Sequence, residues 1–430
     1  MAEVFKIKGG QPLAGEIVIS GSKNATLPII SAAVLNSGKT LLKNIPLIKD
    51  VFNLLEILKL WGAKVEIDES LHQVLIDNSE INPEPDVKAS ELIRKLRGSI
   101  LLIGPILARF KTLALPLPGG DLIGARPLDS HFDGFGKLGA VLNKQGDLIE
   151  LSSPQGLTGS KIVMKEISVT ATENLIMAAS LAEGETEIKL AAIEPHVQDL
   201  CYFLEKLGIK IFGIGTHILR IQGNSGKAIK LELEHEIVSD SDETMNLAAL
   251  AAATRSELVL KNIRPEFLDA GLNKLEEAGV NLEVQGSNLL IKKPSSIYSA
   301  VKYQCGLYPK LMSDQIPPFA VLATQSQGVS MIQEWMYEGR LGYVNELNKM
   351  GANAMILDPH RAIIVGPTAL RGAELKSLDI RAGMTMLIAG LVAEGETTIL
   401  DAQIIDRGFE KIDERLRQVG AKIERVESES

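Results

Sequence analysis

Two cysteines in 430 residues cannot build a disulfide framework, and one of them, Cys201, falls on the apolar stripe of VQDLCYFLEKLG beside Val197 and Leu204, where it reads as core. The six histidines show no HxxxH pair and no clustering with cysteine, so nothing in the sequence announces a metal centre. Neither a Walker loop nor a GxGxxG turn occurs, which removes the two commonest phosphate cradles. Aromatic residues make up only 4% and the formal net charge is -9, a balance that disfavours stacking on bases and broad contact with a phosphate backbone. No apolar run approaches the roughly 18 residues that span a bilayer. The opening MAEVFKIKGG lacks the apolar segment of a signal peptide, so the cytoplasm is the expected compartment. The expectation is therefore small-molecule work without a metal or other cofactor, without nucleic acid and without membrane insertion.

What the chain does have is 45% hydrophobic content, enough for a large core, and a repeat. An amphipathic helix ending in an apolar pair, a glycine and a short strand recurs as LWGAKVEI, KLGAVLN, KLGIKIF, EAGVNLEV, KMGANAMI and QVGAKIER. The glycines are Gly62, Gly139, Gly208, Gly279, Gly351 and Gly420, at successive intervals of 77, 69, 71, 72 and 69 residues. Glycine is expected there because a left-handed helix cap costs it no steric strain. Each copy also holds an earlier, Ala-rich helix, such as ENLIMAASLAEG or GMTMLIAGLVAEG, apolar enough to lie inside a layer. Units of this size cannot hide their apolar faces alone, so three per domain is the natural partition. The Gly/Ser stretch at 223–229 is the best boundary.

Two rings of equivalent positions follow from the repeat. At the entrance of the Ala-rich helix stand Lys23, Arg97, Ser168, Asp242, Asp314 and Arg381, five of them ionisable. At the second helix entrance three copies carry Pro46, Pro195 and Pro265, the bland solution for a helix start, and three carry Arg126, Arg340 and Arg407. Free N–H groups at such entrances attract anions, and arginine's planar fork matches carboxylate and phosphate oxygens. The cations suit an anionic ligand; without one they would repel each other. Taken singly, each arginine reads as a solvated surface charge and each carboxylate as a cap or turn former. Taken together, Asp314 and Asp121 are candidate base and acid among cations, and Asp379 is placed to orient a neighbouring arginine or lysine.

At these residues the chain resembles the enolpyruvyl transferases. The likeness rests on GSKNATLP, LRGSI, PGGDLIGARPLDSH at 118–131, the EGR of WMYEGRLGY, SLDIRAG and IDRGFEKI, six motifs in order along nearly the whole chain, and is nearest to the branch using UDP-N-acetylglucosamine. The resemblance implies an α/β fold of two domains, each of three repeats around buried parallel helices, an inside-out α/β barrel. One domain would span 21–229 and carry a mobile loop at about 118–131; the other would span 1–20 plus 230–430 and carry the base, with the active site in the cleft between them. The implied reaction moves the enolpyruvyl group of phosphoenolpyruvate to the 3'-hydroxyl of UDP-N-acetylglucosamine and releases phosphate, at the first committed step of peptidoglycan synthesis.

By the same resemblance Asp314 is the base near the sugar hydroxyl and Asp121 the acid on the loop. Lys23, Arg126 and Arg407 hold phosphate, with Arg340 and Arg381 nearer the carboxylate. Asn24, Arg97, the run Arg126, Pro127, Leu128, Asp129 and Ser130, then Ser168, Val169, Asp314 and Met336 contact the UDP-sugar. His131 is read as a structural residue of the loop.

The chain departs from the family pattern at several places. Asp121 stands where many members carry cysteine, PKLMSDQ replaces the usual G-F-P-T-D, Thr170 replaces a common glycine, and VSDSDET lacks a basic residue near its start. Fosfomycin alkylates the loop thiol in this family, so the aspartate implies resistance. Two alternatives stand beside the main reading: transfer to shikimate 3-phosphate, and a non-catalytic paralogue that binds a nucleotide sugar.

Overall fold

A computed structural model describes residues 3–120 and 123–427, so Asp121 lies outside the described residues. The six repeat glycines all take positive φ, between 86° and 101°, as the helix-cap reading requires. Each repeat runs helix, strand, second helix or turn, strand and strand, as in Lys23–Ala33, Lys39–Lys43, Lys49–Leu60, Lys64–Asp68 and Gln73–Asp77. Among the described residues the sixth copy shows no strand after Lys422–Glu427. The N-terminal strand Glu3–Lys8 takes that place, pairing antiparallel with both Lys422–Glu427 and Glu396–Leu400.

The chain divides into two compact units, one of Met1–Ser20, Leu122–Ala125 and Ser239–Ser430, the other of Gly21–Asp121 and Arg126–Val238. The break falls at 238/239, whereas the sequence suggested 229/230. The reason is Glu232–Glu236, which pairs in parallel with Lys39–Lys43 and so completes the first repeat's sheet. Each unit holds three of the six small sheets among the described residues. Ala14–Val18 joins the sheet of the fourth repeat, parallel to Glu257–Lys261.

The Ala-rich helices are buried nearly all round, because they have no polar face to leave in water. In Ile380–Val392 and in Ser241–Ala253 twelve of the thirteen residues are buried. In the unit containing them, Ile316–Thr324 packs between these two helices. In the other unit Ile103–Phe110 packs on Val169–Ser180, and Lys23–Ala33 on the 3-10 turn Arg97–Leu102.

Four of the buried helices begin on a side-chain cap. Ser22, Ser168, Asp240 and Asp379 accept backbone N–H groups, each cap contributing about 1 kcal/mol. The caps fix the candidate residues beside them: Lys23 and Asn24, Val169, Asp242 and Arg381. The other two entrances are 3-10 turns, Arg97–Leu102 and Ser313–Gln315. Both cysteines are buried, and burial pushes the Cys201 thiol up beyond any useful titration.

The second ring differs from the expectation. Arg340 opens a one-turn 3-10 segment, Arg407 ends the longer 3-10 segment Ala402–Arg407, and Arg126 lies in the loop before Asp129–Lys137. None of the three stands at the N-terminus of an α-helix, so the helix-dipole argument for anions does not apply to them.

Candidate active site

In the unit of the last three repeats, one carboxylate and two arginines meet. Arg340 Nη1 lies 2.7 Å from Asp314 Oδ1, and Arg381 Nε lies 2.9 Å from Asp314 Oδ2. Arg381 Nη2 also reaches Asp242 Oδ2 at 3.3 Å, and its guanidinium stands 5.4 Å over the Phe409 ring. Both arginine side chains are 5% exposed, whereas the Asp314 side chain is 29% exposed, so the carboxylate is the member that water or a ligand can reach. Asp379 caps Ile380–Val392 through the N–H groups of Arg381 and Ala382, fixing where Arg381 leaves the backbone.

Burial alone would raise the Asp314 carboxyl. The Arg381 and Arg340 guanidiniums, charge and hydrogen bonds together, outweigh it and hold Asp314 well below the usual carboxylate range. Asp242 goes the other way: burial raises it to about 6 although Arg381 pulls down, with Asp314 adding repulsion. Its neighbour Asp240 is raised to about 7 by burial and by Asp242. A bare cation cluster is therefore not what the fold builds here. The arginines are already neutralised by the chain's own acids, so an anionic ligand has to compete for them.

The other unit carries Lys23, Arg97 and Arg126. Lys23 Nζ pairs with the buried Asp50 at 3.1 Å, again an internal counter-charge the sequence reading lacked. Arg97 Nη2 donates to the Arg126 carbonyl at 2.6 Å. Gly120 lies against both: a Cβ there would stand 2.8 Å from Arg97 Cβ and 2.7 Å from Arg126 Nη2, and its φ is +133°. The glycine is thus required by close approach as well as by conformation. Past it, Leu122–Ala125 belongs to the opposite unit, where Gly339 N donates to the Ile123 carbonyl at 2.9 Å and Ala125 N to Glu338 Oε1 at 2.9 Å. Of the following run, Pro127 and Asp129 are exposed, Arg126 and Leu128 half-buried and Ser130 buried.

His131 sits in the helix Asp129–Lys137, not in the loop, and is 1% exposed. Asn174 fixes its tautomer. Asn174 Oδ1 accepts from Gly104 N at 2.7 Å, so its Nδ2 faces and donates to His131 Nδ1 at 3.1 Å. The ring proton must then be on Nε2, which donates to Thr170 Oγ1 at 3.1 Å. Burial, and next to it the charge of Arg97, push the imidazole down to about 3. Thr170, a departure from the family glycine, is thus the acceptor that completes a neutral histidine.

The structure brings together Asp314, Arg340 and Arg381 with Asp379 at the cap, and separately Arg97 with Arg126. Ser168 caps its helix, Val169 begins it, Asn24 stands half-buried in the first turn of Lys23–Ala33, and Met336 and Arg407 are half-buried. The sequence reading missed Asp50, Ser313 and Glu334. Glu334 had a signal: alternation puts Ser330, Ile332 and Glu334 on the buried face, and a charge on the core side of a strand demands partners. No group of three or more potential metal ligands occurs among the described residues. No helix among them is long and apolar enough to cross a membrane.

Residues 7–416 match the family described as EPSP synthase (3-phosphoshikimate 1-carboxyvinyltransferase). A protein of Wolinella succinogenes named UDP-N-acetylglucosamine 1-carboxyvinyltransferase is 40% identical over 425 residues, covering 98% of this chain and 99% of the relative. One of the same name from Bradyrhizobium diazoefficiens is 42% identical over 435 residues, covering 98% of each. Among solved structures, the enolpyruvyl transferase NikO from Streptomyces tendae superposes with a TM-score of 0.89 at 22% identity over 99% of both chains. EPSP synthase from Acinetobacter baumannii superposes at 0.70 with 17% identity, over 99% of this chain and 100% of that one. The chain belongs to the EPSP synthase family of carboxyvinyl transferases.

Proposed function

We propose that this transferase moves the enolpyruvyl group of phosphoenolpyruvate to the 3'-hydroxyl of UDP-N-acetylglucosamine and releases phosphate, as a cytoplasmic enzyme of peptidoglycan synthesis. The observation that carries the reading is the near-full-length identity, about two residues in five, to relatives bearing that enzyme's name. The three-repeat units suit the inside-out α/β barrel, three repeats to a domain.

The chemistry needs one base, one acid and cations for a phosphate and a carboxylate. The Asp314 carboxylate takes the hydroxyl proton as the sugar oxygen bonds to C2 of the enol, and Asp121, protonated, delivers a proton to C3. The resulting tetrahedral ketal then loses phosphate as C3 returns a proton to Asp121 and the departing phosphate takes the hydroxyl proton from Asp314, which regenerates both carboxyl groups without any further reactant. Lys23, Arg126 and Arg407 hold the phosphate; Arg340 and Arg381 serve the carboxylate; Asn24, Arg97, Arg126 to Ser130, Ser168, Val169 and Met336 serve the UDP-sugar.

A carboxylate gripped by two guanidiniums is a poor base. Anionic groups of the incoming substrate supply the remedy: by competing for Arg340 and Arg381 they loosen the grip on Asp314 and let its basicity rise when it is needed. Asp121 needs the opposite help, desolvation when the substrates bind, to stay protonated near neutral pH.

The test is the reaction run in D2O with both substrates. Addition followed by elimination carries deuterium into the methylene of product and recovered phosphoenolpyruvate, and Asp121→Asn abolishes it. Phosphate release with no deuterium in either molecule contradicts the mechanism.

A further inference from the structure

Glu334 is fully buried, at the end of the strand Ser326–Gln333, and a buried carboxylate is tolerated only where its lone pairs are met. They are. Oε1 accepts from Met336 N at 2.8 Å, from Tyr337 N at 3.2 Å and from the Cys305 thiol at 3.3 Å. Oε2 accepts from Ser313 Oγ at 2.7 Å.

The last bond has a direction that reaches the candidate site. A serine hydroxyl has one proton, and here it goes to Glu334. The oxygen's remaining lone pairs then face Arg340 Nη1, 2.6 Å away, which can only donate. The same Nη1 donates to Asp314 Oδ1 at 2.7 Å. Arg340 has few other restraints: its Nε is buried without a hydrogen-bond partner among the described residues, and its guanidinium stands 5.0 Å over the Tyr337 ring. Tyr337 is itself tied by its N–H to Glu334, so, the Asp314 pair aside, both restraints on the guanidinium lead back to one carboxylate.

We infer that Glu334 is a positioning residue, holding Arg340, and through it Asp314, by way of the Ser313 hydroxyl. The inference rests on the reading of Asp314 as base. Among the described residues Glu334 makes no hydrogen bond to Asp314, and it works chiefly by fixing which way the Ser313 oxygen points. Glutamine at 334 keeps the shape but loses the charge that balances Arg340, and sets its NH2 against either Ser313 or the Met336 and Tyr337 N–H groups. Alanine at 313 removes the link without altering any buried charge.

The experiment measures kcat, KM for each substrate and the pH profile of phosphate release for full-length E334Q, S313A, S313T and D314N, with thermal unfolding alongside. S313A and E334Q are expected to lower kcat by about tenfold or more, with KM for UDP-N-acetylglucosamine changed less than about threefold. Slackening Arg340 removes a cation from Asp314, so the acid limb of the kcat profile moves to higher pH in both. S313T keeps the hydroxyl and restores rate and limb. A merely structural role lowers the unfolding temperature and leaves the limb in place. The inference is overturned if S313A keeps wild-type rate and limb, or if S313T fails to restore them. Should E334Q not fold, S313A and S313T decide alone. Wild-type turnover by D314N sinks the base reading itself, whereas an inactive D314N beside a normal S313A sinks only the role of Glu334.

Discussion

Asp242 Oδ2 lies 3.3 Å from Arg381 Nη2, so the arginine expected to meet a substrate anion already holds one belonging to the chain. Asp242 is surrounded by Asp240, Asp314, Arg381, Arg340 and the amide of Gln315. Removing its charge leaves Arg381 with less to neutralise it. Asp242→Asn is expected to lower KM for phosphoenolpyruvate by about three- to tenfold, roughly 1 kcal/mol of competition relieved. The advantage shrinks below about pH 6, where the wild-type carboxyl is itself protonated. Steady-state kinetics of the two proteins from pH 5 to pH 8 check this, since their ratio cancels the ionisation of the substrate. An unchanged KM shows that Arg381 does not meet the substrate anion.

His131 ties stability to pH. Its folded value, about 3, lies below the ordinary 6.5, so its contribution is complete above about pH 6.5 and is lost as pH falls towards 3, at about 1.4 kcal/mol per unit. An imidazolium would also turn an N–H on Nδ1 towards the Asn174 amide, which can only donate at that point. H131Q can accept from Asn174 and donate to Thr170 without titrating. Urea unfolding between about pH 6 and pH 4 should show wild type losing stability relative to H131Q at close to that slope. Parallel curves contradict the buried neutral histidine.

The loop acid answers to a reagent. A carboxylate is a far weaker nucleophile towards an epoxide than a thiolate, so the wild-type protein is expected to keep its activity after incubation with fosfomycin. Asp121→Cys should be inactivated with the mass increase of one adduct. A covalent adduct on the unaltered protein, found by intact mass, contradicts the assignment of Asp121.

Gly120 is a steric prediction. A methyl group there meets Arg97 Cβ and the Arg126 guanidinium, and φ of +133° strains any other residue. Gly120→Ala is expected to raise KM for both substrates several-fold through displaced arginines, while Gly139→Ala, where a Cβ meets nothing within 4 Å, costs about 1 kcal/mol of stability and leaves KM alone. Kinetics and unfolding of the pair separate the two effects.

The repeat was legible because it rests on local rules: glycine at six helix ends, and helices with no polar side. The chain's crossing points were not. Pairing of Glu232–Glu236 with Lys39–Lys43 joins residues nearly two hundred positions apart and leaves no local mark. In the site, Asp314, Arg340 and Arg381 were readable from equivalent positions in the repeat, and the structure joins them. Asp242 stood in the same ring, but its pairing with Arg381 was not readable, nor was Asp50 as the counter-charge of Lys23, because a carboxylate in a helix's first turn looks like an ordinary cap until its partner is seen. Glu334 lay between the two cases: its alternation was visible, but Ser313, through which it reaches Arg340, is distant in sequence.

The central claim is the acceptor. The most direct test is phosphate release on mixing the protein with phosphoenolpyruvate and each candidate in turn. Release that requires UDP-N-acetylglucosamine, and is absent with shikimate 3-phosphate, is the expected result. Release with shikimate 3-phosphate alone, or tight binding of UDP-N-acetylglucosamine with no phosphate formed, contradicts the account.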